Sequence, residues 1–195
     1  TSRWTANGPV RDADQCDLGT ITPPGHVVSL AWTVLNSADT SFSAALAIAQ
    51  TKDVRAAIAA GEDYLSPAQN LTLADSEDVA LKTIGAFPRR NAGHQSLGRL
   101  PTPGWRAENR WNGRLPYAEN PEFIGAEGGI LGNTNNKVVD RAFPNHMSYI
   151  WGDTQRVQRW ERLMQGRAVH TRESFNGAQL AAVSPTARDL LPLVG

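Results

Sequence analysis

Residues 85–121 set the tightest constraint on the fold. They are dense in Gly, Pro and Arg, are interleaved with Trp105, Trp111 and Tyr117, and run far longer than an ordinary connection between elements. A stretch of this kind either wraps a core or covers a binding site. The apolar segments around it mix strand-like and helix-like patterns, with no regular βαβ alternation and no internal repeat. That mixture predicts an α+β fold.

Residues 70–74 and 79–84 flank the polar turn Asp75-Ser76-Glu77-Asp78, which predicts a β-hairpin. Residues 27–34, carrying Trp32, read as a strand, and 129–132 as another. Residues 40–60 are rich in Ala and Leu and read as two short helices, broken near Thr51 and ended at Gly61 as a C-cap. Residues 153–165 place Val157, Trp160, Leu163 and Met164 on one helical face, with Gly166 as the stop. A last helix begins after Thr171 as N-cap.

The chain has 195 residues, 41% hydrophobic and 19% charged, which suits one sizeable core. Nineteen basic residues balance nineteen acidic ones without a run of like charge, so nucleic acid is not an expected partner. No hydrophobic span or lipidation motif points to a membrane. Cys16 is the single cysteine, which excludes an intrachain disulfide and a thiolate zinc site. The apolar close Leu191-Pro192-Leu193-Val194-Gly195 predicts a fragment of a larger protein.

Chemistry enters at Gly132-Asn133-Thr134-Asn135-Asn136, where an apolar run stops in a row of neutral amides. Uncharged donors at such a position suit a developing oxyanion and so point to acyl transfer. The competing reading is that Asn133, Asn135 and Asn136 only shape a turn, since Asn tolerates left-handed backbone. The four histidines, His26, His94, His146 and His170, are scattered, with no i, i+4 pair for a metal. The carboxylates at Glu62-Asp63 and in the hairpin turn are expected to be solvated. Trp105, Trp111 and Trp151 could line an acyl pocket or act as loop anchors.

Gly85-Ala86-Phe87-Pro88-Arg89-Arg90, Gly93-His94, Leu100-Pro101-Thr102-Pro103-Gly104, Trp111-Asn112-Gly113-Arg114-Leu115-Pro116-Tyr117 and Asn120-Pro121 follow one another in an order that resembles the penicillin acylase (penicillin amidase) family. The amide cluster and the segment from Trp151-Gly152 to Arg156-Val157 come in register after them. Asn7-Gly8-Pro9-Val10, Ala31-Trp32-Thr33 and the hairpin extend the resemblance to nearly the whole chain.

The resemblance implies an N-terminal-nucleophile hydrolase with a four-layer α-β-β-α core, self-cleaved into a small chain and a large chain. Residues 1–195 would then be a single segment inside the large-chain catalytic domain. Catalysis would proceed through an acyl-enzyme formed on the residue that begins the large chain, its own α-amine acting as base. Asn135 matches the family's oxyanion-hole asparagine, and Arg156 the arginine that positions the amine and the asparagine. No residue matches the nucleophile. Thr1 lies too far along the motif order for that role, so the remaining acylase chain segments are the implied partners and carry it.

The implied substrate is a small-molecule N-acyl amide: a penicillin, a cephalosporin side chain or an N-acyl homoserine lactone. Export to the periplasm follows from the same resemblance. No cofactor is expected. Some members hold a structural calcium through a carboxylate in the segment that here reads Phe143-Pro144-Asn145-His146, where Asn145 replaces the acid. An alternative from another class is a non-catalytic binding or structural domain that keeps the scaffold without the nucleophile.

Overall fold

The computed structural model describes residues 3–125, 130–152 and 154–194. Five α-helices and three small antiparallel sheets form among them, which is the α+β mixture the sequence predicts. None of these helices is long and apolar enough to cross a membrane.

The hairpin is the centre of the molecule. Strands β4 (Gln69–Ala74) and β5 (Val79–Ile84) pair in unbroken register from Gln69 opposite Ile84 to Ala74 opposite Val79. Asp75 closes the turn: its carboxylate accepts the backbone N–H groups of Glu77 and Asp78, and also that of Val54 at the start of a helix. These bonds favour the charged form and hold the Asp75 carboxyl below its ordinary pKa, the Asp78 and Val54 N–H groups contributing most. Although exposed, Asp75 therefore ties the turn to the helix beside it.

That helix is the second of the two predicted from 40–60. α1 (Ser41–Ala49) and α2 (Val54–Ala60) are separated around Thr51, and Asp53 caps α2 by accepting the N–H of Ala56. Gly61 follows α2 at the C-cap, but its φ of −69° is right-handed, so a left-handed stop is not why glycine stands there. A Cβ at Gly61 would lie 2.6 Å from the Tyr117 hydroxyl and 2.9 Å from Ile84 Cγ2. Close packing demands the glycine.

β5 divides the molecule by its alternation. Ala80, Lys82 and Ile84 face α2 and Tyr117, where Val54, Ile58 and Ala80 form the core with Leu73, Tyr117 and Ile124 packed against it. Lys82 is 1% exposed in this apolar setting. Its ammonium reaches Glu122 Oε2 at 3.1 Å, donates to the carbonyls of Tyr117 and Asn120 at 3.3 Å, and sits 4.3 Å from the Tyr117 ring centroid. All three proton directions are used, as burial of an ammonium requires. β8 (Glu122–Ile124) pairs with β5 and so presents Glu122 to it.

The long stretch wraps this core. Within it β6 (Pro88–Arg90) pairs with β7 (Trp111–Arg114), and Asn120 closes the ends by donating to Gly85 O at 2.9 Å. Asn109 holds the middle, donating to Gln95 Oε1 and Pro103 O and accepting the N–H of Gln95. Asn7, beside the sheet of β1 (Trp4–Thr5), β2 (Gly8–Arg11) and β3 (Val28–Ser29), donates to Gly104 O. The predicted strand at 27–34 is thus reduced to β3, and a 3-10 turn at Thr33–Leu35 replaces its second half.

Three helices complete the chain: α3 (Gln155–Gln165), α4 (Arg172–Gln179) and α5 (Pro185–Leu190). Gly166 ends α3, and Thr171 opens α4 with a reciprocal capping box to Ser174. Asp153, included in the predicted third helix, lies outside the described residues, as do Thr1 and Gly129. Ile130, Leu131 and Gly132 form no strand, contrary to the expectation for 129–132. Their backbone instead runs beneath the indole of Trp160, as described below.

Candidate active site

The odd-numbered face of β5 carries the amide cluster. Thr83 Oγ donates to Asn70 Oδ1 at 2.8 Å, and Asn70 Nδ2 donates in turn to Asn133 Oδ1 at 3.0 Å. Asn133 Oδ1 also accepts the backbone N–H of Asn135 at 2.9 Å. Asn136 Oδ1 accepts the N–H of Thr134 at 3.0 Å. Asn133 and Asn136 therefore shape the turn, as the conformational reading of the cluster expects.

Asn135 is built differently. Its φ of +67° places it in the left-handed region, which Asn tolerates better than most residues, and turns its side chain toward α3. There Arg156 Nη1 donates to Asn135 Oδ1 at 2.9 Å. A guanidinium has no acceptor, so the amide must present its oxygen to Arg156 and its NH2 away from it. Among the described residues no acceptor takes that NH2. The geometry fixes an uncharged donor by its far end and leaves it pointing outward. Asn135 and Arg156 are both exposed in this chain, and the two candidates selected in the sequence are brought into direct contact.

Gly132 explains how α3 comes to lie here. A Cβ at that position would stand 2.7 Å from Trp160 Cζ2, so the indole of α3 rests directly on the backbone before the amides. Arg156 precedes Trp160 by about one helical turn and is carried over Asn135. A groove of about 1050 Å³ opens alongside, between α3, α4 and the first turn of α5, with Arg156, Arg159, Trp160 and Phe175 in its wall. Trp105, Trp111 and Trp151 are not among its lining residues. Trp105 instead tilts on His26 with ring centroids 5.4 Å apart, and Trp151 donates to Ser148 O at 2.9 Å.

The histidines hold other positions. His94 and His146 are buried and meet through Phe143, with centroid distances of 6.3 and 5.3 Å, and His146 stacks on Tyr149 at 4.2 Å. His94 Nδ1 accepts the N–H groups of Ser96 and Gly98, which fixes the neutral tautomer with its proton on Nε2. Burial, and then the Arg90 guanidinium, hold both imidazoles below their ordinary pKa. His170 Nε2 lies 2.8 Å from Met164 O, linking the end of α3 to the start of α4.

The segment Phe143-Pro144-Asn145-His146, where a calcium was expected in some relatives, offers no carboxylate of its own. No group of three or more His, Cys, Asp or Glu among the described residues could hold a metal, and the charges that act on His146 are the cations Arg90 and Arg99. A hard dication needs a concentration of anionic oxygens.

Comparison with known proteins joins this geometry to a family. The penicillin amidase family model matches residues 1–194. The chain belongs to the penicillin amidase family. An acyl-homoserine lactone acylase QuiP of Pseudomonas syringae pv. syringae is 28% identical over 146 residues, covering 74% of this chain and 17% of that protein. The penicillin acylase 2 proenzyme of Pseudomonas sp. strain SE83 is 36% identical over 82 residues, covering 42% of this chain and 9% of that protein. Among solved structures, a thermostable penicillin G acylase from Alcaligenes faecalis matches with a TM-score of 0.65 at 19% identity, over 88% of this chain and 29% of that one. This amidase-family chain therefore shares the penicillin acylase fold while spanning a small fraction of each relative's length. The relatives named are acylases.

Asn70 and Thr83 were not legible as site residues in the sequence, because a polar pair inside a hairpin reads as ordinary strand. Only the register, which sets Asn70 opposite Thr83, shows that they share a face and reach the amides.

Proposed function

We propose that this chain supplies the oxyanion donor of an N-acyl amidohydrolase whose nucleophile resides on another segment of the enzyme. The 2.9 Å bond from Arg156 to Asn135 Oδ1 carries the reading. It orients an outward amide NH2, and an amide donates to a developing oxyanion without a charge that could be titrated away. The relay from Thr83 through Asn70 and Asn133 restrains the same turn, so little reorganisation is needed when the oxyanion forms.

Within the whole enzyme these elements would contribute to a four-layer α-β-β-α core. An N-terminal Ser, Thr or Cys from the completing segment attacks the acyl carbonyl, and its own α-amine takes the proton. The tetrahedral oxyanion is held at Asn135, the amine leaves, and water hydrolyses the acyl-enzyme. Arg156 acts as the positioning residue. Acyl-homoserine lactones and penicillins both present a side-chain amide to such a site, and the periplasm is the compartment we assign on family resemblance.

In the purified protein with any companion polypeptide retained, turnover of a chromogenic N-acyl anilide tests the proposal. Asn135→Ala is expected to lower turnover on the order of a hundred- to a thousandfold. Near-normal turnover removes Asn135 from the site. Absence of hydrolysis with companions present favours the non-catalytic scaffold. Comparing phenylacetyl with long-chain acyl substrates separates the penicillin from the lactone assignment.

A further inference from the structure

Arg159 lies one turn beyond Arg156 on α3 and lines the same groove. Its Nε is buried without a hydrogen-bond partner, and among the described residues it forms no ion pair. Folded chains leave few buried donors in this state, because each one forfeits its hydrogen bond to water without a replacement. Arg156 donates to Asn135, whereas Arg159 keeps a buried Nε–H unpaired in the same groove wall.

Trp160, Leu163, Phe175 and Val183 form the apolar part of the lining, and Thr134, Gln155, Gln179 and Ser184 add polar groups to it. The flanking helices α4 and α5 bury no residue, and Phe175 and Leu180 are 52% and 81% exposed. A helix with an apolar face normally covers it against another element. A small acyl substrate would fill part of the groove and leave both helices uncovered. A polypeptide segment can cover them, and the relatives contain the necessary length: the chain spans 17% of the QuiP acylase and 29% of the penicillin G acylase chain.

We propose that the groove between α3, α4 and α5 seats a segment of the polypeptide that completes the acylase, presenting apolar side chains around one Asp or Glu carboxylate that pairs with Arg159. The proposal rests on the reading that other segments complete the enzyme, and adds where one of them docks and with what chemistry. A carboxylate can engage Nε and a terminal nitrogen of the guanidinium together, in the side-on geometry that satisfies the buried donor.

The test uses the purified assembly carrying Arg159→Lys, treated with a water-soluble carbodiimide and mapped by peptide mass spectrometry. The expected result is an amide crosslink from position 159 to an Asp or Glu outside residues 1–195. Arg159→Met should weaken association with the companion by at least about tenfold. A crosslink to an acid within residues 1–195 overturns the proposal, as does no crosslink together with unchanged association of Arg159→Met. A stable purified protein with no polypeptide beyond residues 1–195 also overturns it. If octanoate protects the amine introduced by Arg159→Lys from amine-reactive labelling with no companion present, the groove belongs to a small carboxylate instead and the proposal is overturned. Anilide hydrolysis with neither the crosslink nor weakened association of Arg159→Met sinks this inference alone, whereas the crosslink without hydrolysis sinks only the catalytic reading.

Discussion

The sheet around β5 and the helices after residue 154 obey opposite rules. In the first region most demands are met from within: Lys82 has three acceptors, Asn120 ties the ends of the long loop through its NH2 although its buried Oδ1 stays unpaired, and Asp75 joins the turn to α2. In the second, α4 and α5 bury nothing, Leu191, Leu193 and Val194 are exposed, and Arg159 keeps an unmatched buried N–H. Asn135 and Arg156 sit at the seam, the asparagine anchored to the self-sufficient side and the arginine delivered by the incomplete one. A site divided in this way gains its final geometry only when both sides are fixed, which links assembly to activity.

The contrast predicts where substitutions act. After Asn135→Ala itself, Arg156→Met should have the largest effect, releasing Asn135 Oδ1 and lowering kcat in the assembled enzyme by roughly a hundredfold with KM little changed. Steady-state kinetics on an N-acyl anilide would check this, and Arg156→Lys should recover only part because the ammonium lacks the planar fork. Glu122→Ala strikes the self-sufficient side. It leaves the Lys82 ammonium with two carbonyls, and chemical denaturation should report a loss on the order of 2–3 kcal/mol, below the full-burial value because Glu122 is 39% exposed.

Asn70→Ala sharpens the comparison by cutting the relay between the two sides. It leaves Asn133 without its strand anchor, and turnover should fall about tenfold while stability drops by roughly 1 kcal/mol. A stability loss without a rate loss would place the relay outside catalysis.

Acid should loosen the long loop before it loosens the hairpin. His94 and His146 have folded pKa values below their ordinary 6.5, so the unfolded chain binds more protons as pH falls. Their contribution is complete above about pH 6.5 and is lost as pH drops through the folded values. Protonated His94 could no longer accept the Ser96 and Gly98 N–H groups. Amide exchange in residues 94–100 should therefore accelerate below that pH, while Asp75, whose depressed pKa starts from 3.8, keeps the hairpin turn protected to lower pH. The smallest effect is expected at the far end: Leu193→Ser should change the stability of the isolated chain by less than about 0.5 kcal/mol.

The hairpin, both helices of 40–60, the end of α3 and the start of α4 were legible in the sequence because local chemistry decides them: strand pattern about a polar turn, a break near Thr51, glycine at 166 and the Thr171 cap; the division of the last helix into α4 and α5 was not. Residues 129–132 misled because an apolar run says nothing about a pairing partner, and the described part has none. Gly61 was placed correctly for a different reason, since close approach by Tyr117 is a tertiary fact. Asn135 and Arg156 were legible through family register alone. Their contact depends on Gly132 admitting Trp160, which no local pattern announces. The burial of Lys82 was equally hidden, because a lysine within a hairpin ordinarily points to solvent.

The most direct test is denaturing intact-mass analysis of the purified protein after brief mixing with an activated acyl ester. The account predicts an acyl adduct that peptide mapping places at an N-terminal Ser, Thr or Cys outside residues 1–195, with residues 1–195 themselves unmodified. Adduct formation should slow markedly in Asn135→Ala. An adduct within residues 1–195, or acylation at an unchanged rate in Asn135→Ala, would contradict it.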